Sequence, residues 1–200
     1  MKKLLILLFL FGNFAGFGQT TKYIWREAGG KYHQKKYNEA IKDLNLAIQL
    51  EPNFEKLYNT KGACNHELEK YDEAIANYSI AIKLKPTYYA AIYNRAKSYL
   101  KNNNFTEAIE DYTKVISKCK NDYEAYTWRG YCFNELGKYN EAILDFDKAI
   151  NIKKKYSDAY YYRAIAKNKL NDKIGACADW KKALELGYKE AQKMLDENCK

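Results

Sequence analysis

The sequence predicts an all-α solenoid of helix-turn-helix repeats closed by a C-terminal capping helix, and three observations predict it. Four five-residue words, Tyr37-Asn-Glu-Ala40-Ile41, Tyr71-Asp-Glu-Ala74-Ile75, Phe105-Thr-Glu-Ala108-Ile109 and Tyr139-Asn-Glu-Ala142-Ile143, each start 34 residues after the last. Further positions recur in phase with them: Leu44, Tyr78, Tyr112 and Phe146 seven residues after the leading aromatic, then Ala47, Ala81, Val115 and Ala149 ten after it. Upstream lies a second periodic set, with Tyr58 and Gly62, Ile92, Ala96 and Tyr99, Tyr126, Gly130 and Phe133, and Tyr160 and Ala164. A fixed period of this size marks stacked supersecondary units, none of which buries its apolar face alone.

Together these positions resemble the tetratricopeptide repeat family, whose 34-residue pattern sets Trp, Leu-Gly, Tyr, Ala, an aromatic, Ala and Pro across two helices. The family's closing proline survives as Pro52 and Pro86, whereas Lys120 and Lys154 stand at the two later places. The resemblance implies a right-handed solenoid of five repeats over residues 22–188, divided 22–54, 55–88, 89–122, 123–156 and 157–188. Small residues such as Gly62, Ala74, Gly130 and Ala142 allow helix axes to approach, and the aromatics fill the space beside them.

Residues 1–18 read as a leader. Met1-Lys-Lys3 is followed by an apolar run from Leu4 to Phe11, and Gly16-Phe-Gly18 offers small residues before a cleavage ahead of Gln19. The run is short against the ~20 residues that span a bilayer as a helix. The expectation is an exported, periplasmic or extracellular protein with no stable membrane insertion after cleavage; a tether formed by an uncleaved N-terminal segment is the alternative. The chain carries a net charge of +9. Export makes nucleic acid an improbable partner for that charge, and lysines spread over every repeat read as a solvated face.

Repeat 1 is irregular. Gly29 to Tyr32 keeps the family's three-residue step and puts Trp25 on its Trp position, but Tyr32 to Tyr37 is then one residue short, which reads as a deletion in the turn. An ungapped register, with Ile24 and Ala28 at those places, is the alternative. Gly29-Gly30 weakens the first helix by up to ~1 kcal/mol per glycine.

Later repeats share a polar regularity. Arg95, Arg129 and Arg163 each precede an aspartate by 16 residues, namely Asp111, Asp145 and Asp179, an offset that can place the two across one antiparallel helix pair. Repeat 2 has Lys61 and Asn77 there instead. Structural pairing and a basic ligand-binding ladder are the two readings.

Repeat 5 keeps Ala176, Trp180 and Ala183 in phase, with Lys173 where the leading aromatic would stand. After it, Gly187 can end a helix, and residues 189–200 read as the cap, with Ala191, Met194 and Leu195 on one apolar side. Cys177 lies ten residues before Gly187 and Cys199 twelve after it, so an antiparallel turn there would bring them together as a disulfide. Buried free thiols are the other reading.

Candidate chemistry is sparse. Only His33 and His66 are present, and Cys64 and His66, two apart on a helix, point in different directions. No phosphate-cradling glycine loop, Cys-x-x-Cys pair or nucleophile elbow is found, so the expectation is no enzyme, no cofactor and no metal. Opposite the packed side of each first helix runs a separate stripe. In the family this stripe lines a concave groove that holds peptides or a partner's helix. The resemblance carries that role onto Asn59, Tyr93, Asn94, Lys97, Trp128, Tyr131, Tyr161 and Tyr162, with the amides for a peptide backbone, Lys97 for an acidic group and the aromatics for apolar side chains. Packing between neighbouring first helices is the competing role for Tyr131, Tyr161 and Tyr162. Two functions follow: an interaction module holding a protein or peptide segment in the groove, or a structural subunit of an envelope assembly that uses its ends or convex face.

Overall fold

The computed structural model describes residues 14–199. Eleven α-helices run among them: α1 (Phe14–His33), α2 (Tyr37–Leu50), α3 (Glu55–Glu67), α4 (Tyr71–Leu84), α5 (Tyr89–Lys101), α6 (Phe105–Lys118), α7 (Tyr123–Glu135), α8 (Tyr139–Ile152), α9 (Ser157–Lys169), α10 (Lys173–Glu185) and α11 (Ala191–Asn198). This is an all-α helical-repeat fold. Helices α2, α4, α6 and α8 begin on the leading aromatics of the four words, and α3, α5, α7 and α9 begin on their own 34-residue spacing. The first 13 residues of the expected leader lie outside the described residues, and the expected cleavage site before Gln19 falls within α1.

One backbone device repeats at every turn inside a repeat. Lys35, Glu69, Asn103, Gly137 and Asn171 all hold a positive φ between 59° and 72°. The residue after each donates its N–H five residues back, as Lys36 does to Lys31 O, Lys70 to Asn65 O and Lys138 to Phe133 O, closing the helix end with a 6→1 bond.

These turns correct the reading of repeat 1. The turn from α1 to α2 has three residues, the same as the four turns that follow, and Lys35 stands 34 before Glu69. No residue is missing, and the ungapped register holds. Ile24 and Ala28 are buried in the core. Gly29 is half-buried, and a Cβ built on it would meet nothing within 4 Å. The apparent family step from Gly29 to Tyr32, with Trp25 before it, is a coincidence of composition one residue out of phase.

The described residues form two compact units, 14–98 and 99–199. In the first, Ala40, Leu44, Ala47, Ala74, Tyr78 and Ala81 are buried, the word positions and those in phase with them. Gly62 lies against the Tyr78 ring: a Cβ there would sit 2.8 Å from Cε1, inside any tolerated contact. In the second unit Gly130 does the same beneath Phe146, at 2.8 Å. Ala142, Ala149, Ala176, Trp180 and Ala183 complete that core.

The arginines act as two-armed ties. Arg129 grips Asp145 through Nε and Nη2, both at 2.7 Å, and its Nη1 donates to Thr113 Oγ1 at 3.0 Å. Arg163 grips Asp179 at 2.8 and 2.6 Å and reaches Asp147 at 2.6 Å. Each first-helix arginine in the second unit therefore joins its own second helix, 16 residues ahead, to the preceding second helix, 16 residues behind. In the first unit Arg95 Nη1 donates to Ser79 Oγ, the same backward step. Asp43 stands at the first repeat's aspartate position, where Glu27 replaces the arginine, and it takes its cation from Lys31 at 2.6 Å. Lys167 binds Asp179 at the equivalent offset.

The cap α11 packs on α10, with Ala191 fully buried. Cys177 and Cys199 are joined in the structure, their Cα atoms 5.8 Å apart. Cys64 and Cys132 are free and buried, and Cys119 is free and exposed.

Candidate functional site

In the first unit, helices α1, α3 and α5 border a pocket of about 500 Å³ lined by Trp25, Arg26, Gly29, Gly30, Tyr32, His33, Asn59, Thr60, Ala63 and Asn94. Helical phase explains the α1 contribution. Trp25, Gly29 and Tyr32 form one row, and Arg26, Gly30 and His33 the row beside it, at steps of three and four. The glycines give the pocket its depth, because a Cβ at either would meet nothing within 4 Å.

The walls are held in place by polar contacts. Trp25 Nε1 donates to Thr60 Oγ1 at 2.9 Å, and Thr60 Oγ1 donates on to Lys56 O. The Lys56 ammonium sits 5.0 Å from the centre of the Trp25 ring, and Phe54 meets that ring edge-on at 5.9 Å. Asn94 Nδ2 donates to Asn59 Oδ1 at 3.3 Å, which leaves the Asn59 NH₂ and the Asn94 side-chain carbonyl without a partner among the described residues. A donor and an acceptor side by side match the edge of an extended backbone. The lining carries Arg26 and His33 and no carboxylate.

A smaller recess of about 70 Å³ adjoins it through Tyr32, Ala63 and Asn94, and adds His66, Glu67, Tyr78 and Lys97. Glu67 accepts from the Tyr32 and Tyr37 hydroxyls at 3.5 Å each. Burial, with Glu67 beside it, raises the Tyr32 phenol above its ordinary range, so it stays protonated and donating. His66 Nδ1 lies 2.9 Å from the buried Ser98 hydroxyl.

The structure thus brings together Asn59, Asn94 and Lys97 of the residues expected from the sequence. Tyr93 is half-buried on α5 and lines neither recess. Trp25, Arg26, Gly29, Gly30 and Tyr32 were missed as site residues, because the shifted register had assigned Trp25, Gly29 and Tyr32 to the scaffold. The available signal was the 34-residue step from Ala28 to Gly62, which frees all three.

In the second unit Trp128, Tyr131, Tyr161 and Tyr162 form one aromatic cluster. Ring centroids are 6.2 Å apart for Trp128 and Tyr131, 5.1 Å for Tyr131 and Tyr162, and 5.4 Å for Tyr161 and Tyr162. Tyr188, from the segment leading into the cap, stacks on Tyr161 at 4.3 Å. All four are half-buried, so they pack on each other while keeping an exposed edge. Burial pushes the Tyr131 phenol up to about 12, with Glu135 adding to the rise. Asn134 donates to Tyr162 O at 3.0 Å, and its Oδ1 is buried without a partner.

No group of three or more His, Cys, Asp or Glu side chains that could hold a metal ion occurs among the described residues. No helix among them is long and apolar enough to cross a membrane.

Profiles described as tetratricopeptide repeat match residues 32–54 and 93–160, and one described as TPR repeat matches residues 65–103. No curated protein matches the sequence. Among solved structures, the chain is similar to MamA 41-end from Desulfovibrio magneticus RS-1, with a TM-score of 0.80 and 19% identity over 83% of this chain and 94% of that one. It is also similar to YrrB, described as a TPR protein with an unusual peptide-binding site, with a TM-score of 0.75 and 17% identity over 86% and 92%. A third is a tetratricopeptide repeat protein from Parabacteroides merdae ATCC 43184, with a TM-score of 0.76 and 20% identity over 84% and 66%. At these identities the likeness is one of fold.

Proposed function

Because the chain belongs to the tetratricopeptide repeat family, we propose that it is a non-catalytic interaction scaffold that holds a protein or peptide segment against the first helices of its first unit. The observation that carries this reading is the pocket between α1, α3 and α5, with aromatic walls and an amide donor and acceptor side by side. Such a surface offers hydrogen bonds to a backbone and apolar area to a side chain, the two things that bind an extended segment. The aromatic cluster of the second unit, Trp128, Tyr131, Tyr161 and Tyr162, is a second contact surface in the same proposal. YrrB, similar in fold, carries a peptide-binding site in its own description.

One observation favours the envelope-assembly reading instead. Leu144 on α8 is 66% exposed and Ile174 on α10 is 88% exposed, on second helices rather than first. Photocrosslinking in the native host separates the two. A benzophenone amino acid at Asn94 should give adducts with a second protein, and the same residue at Leu144 should give few. Adducts from Leu144 alone would overturn the pocket reading in favour of assembly through the second helices.

The basic-apolar leader and the joined Cys177–Cys199 pair support export to an oxidising compartment, periplasmic or extracellular.

A further inference from the structure

We infer that the pocket of the first unit selects a segment in which a bulky apolar side chain stands next to a carboxylate, an inference that rests on the peptide-binding reading of that pocket. The argument starts from α1. A helix that places Gly29 and Gly30 side by side gives up helix propensity, and neither glycine is needed for packing, since a Cβ on either would touch nothing within 4 Å. Both open into the pocket. The gap lies between Trp25 on one side and Tyr32 and His33 on the other, with Ala63 as its neighbour across on α3. The Trp25 ring is fixed by its bond to Thr60 and by Phe54, so the wall is already formed before anything binds. A rigid apolar hollow of this kind takes one large aliphatic or aromatic side chain, whose burial is the main source of affinity.

Charge sets the second half of the specificity. Arg26 and His33 flank Gly30 on the same row of α1, seven residues or about 10 Å apart. Arg26 is exposed, its ionic partner is not found among the described residues, and the pocket lining holds no carboxylate to neutralise it. Lys97 stands in the adjoining recess. Glu67, the one acid there, accepts the Tyr32 and Tyr37 hydroxyls. An anchor residue seated over Gly29-Gly30 therefore has a guanidinium within reach of its immediate neighbour, which favours Asp or Glu there and repels Lys or Arg. The Asn59 and Asn94 amides take the backbone between them.

The test is selection of random heptapeptides displayed on phage against the full chain, followed by fluorescence anisotropy with the enriched peptides. The expected consensus is a large apolar residue beside Asp or Glu. Gly29→Leu fills the hollow and also raises helix propensity, so that variant should melt at the same or a higher temperature while binding the enriched peptides about tenfold or more weakly. Arg26→Glu should shift the selected neighbour from acidic to basic. Peptides that are lost on Gly29→Leu but show no acidic preference, or keep it with Arg26→Glu, would overturn the inference and leave peptide binding standing. Failure to enrich any peptide, or peptides indifferent to Gly29→Leu, would overturn the pocket reading and this inference with it.

Discussion

Ala142 has no exposed surface, and its equivalents Ala40, Ala74, Ala108 and Ala176 are buried as completely. A larger side chain there has no space to enter, so Ala142→Leu should cost roughly 1 to 3 kcal/mol by denaturant unfolding, with the loss in the second unit. Arg129 and Asp145 show how charge is managed at the same scale. Burial holds the Asp145 carboxyl above its ordinary range, and the Arg129 guanidinium offsets only part of that rise. Replacing Arg129 with Leu leaves that carboxylate buried without its fork, which should cost roughly 3 kcal/mol at pH 7. The sign of the pH dependence follows. Without the arginine, the folded-state carboxyl titrates still further above its unfolded value of about 3.9. Stability is then retained at pH below that value and lost as pH rises through the folded one, so the deficit of Arg129→Leu should be smaller at pH 4 than at pH 7. An equal deficit at both would place the cost in packing. Burial also pushes the Cys64 thiol up to about 11 and Cys132 up to about 12. Both stay as unreactive thiols at pH 8. Iodoacetamide on the native, non-reduced protein should therefore modify Cys119 alone, as read by peptide mass spectrometry.

Each three-residue turn between paired helices holds one residue at positive φ, and two of the five residues are poorly suited to it. Lys35 and Glu69 carry a Cβ into a conformation that favours glycine or asparagine, which the chain uses at Gly137, Asn103 and Asn171. Glu69→Gly should raise stability by about 0.5–1 kcal/mol after the entropy of the unfolded chain is counted, and Gly137→Ala should lower it by about 1 kcal/mol. The turns also explain what could be read from the sequence. The second helices were legible because Tyr37, Tyr71, Phe105 and Tyr139 start each helix while Leu44, Tyr78, Tyr112 and Phe146, seven residues on, fill the core, so pattern and structure coincide. The first helix was not, because Trp25, Gly29 and Tyr32 copy the family's spacing by accident, and only the turn length separates the two registers. At the other end, the link between Cys177 and Cys199 closes a loop of 22 residues around the cap. On the loop-entropy account it contributes roughly 3 kcal/mol. Reduction with dithiothreitol should speed hydrogen exchange in α11 while leaving α1 to α4 unchanged.

Across the whole molecule, the repeat period names the fold and says little about the ligand. Asn59 and Asn94 followed from helical phase together with the family resemblance, but the pocket they border depends on α1, whose phase the sequence left open between two registers. The arginine ties were half legible: the forward partners Asp145 and Asp179 share a 16-residue offset in the sequence, whereas the backward partners Ser79, Thr113 and Asp147 differ in chemistry and so make no visible motif. The charge of the chain belongs to this scale as well. On the proposed cleavage before Gln19, Lys2 and Lys3 would be lost and the net charge would fall from +9 to +7, leaving 32 basic and 25 acidic residues. N-terminal sequencing of the protein from its native host should read Gln19 first; a chain that still begins at Met1 would support the tethered alternative.

The paired glycines of α1 set stability against recognition. Any selection for heat resistance alone would replace them with better helix formers and erase the hollow they leave. A scan of all substitutions scored twice, once for melting and once for capture, should therefore show its sharpest conflict at Gly29 and Gly30, where gains in the first score are losses in the second.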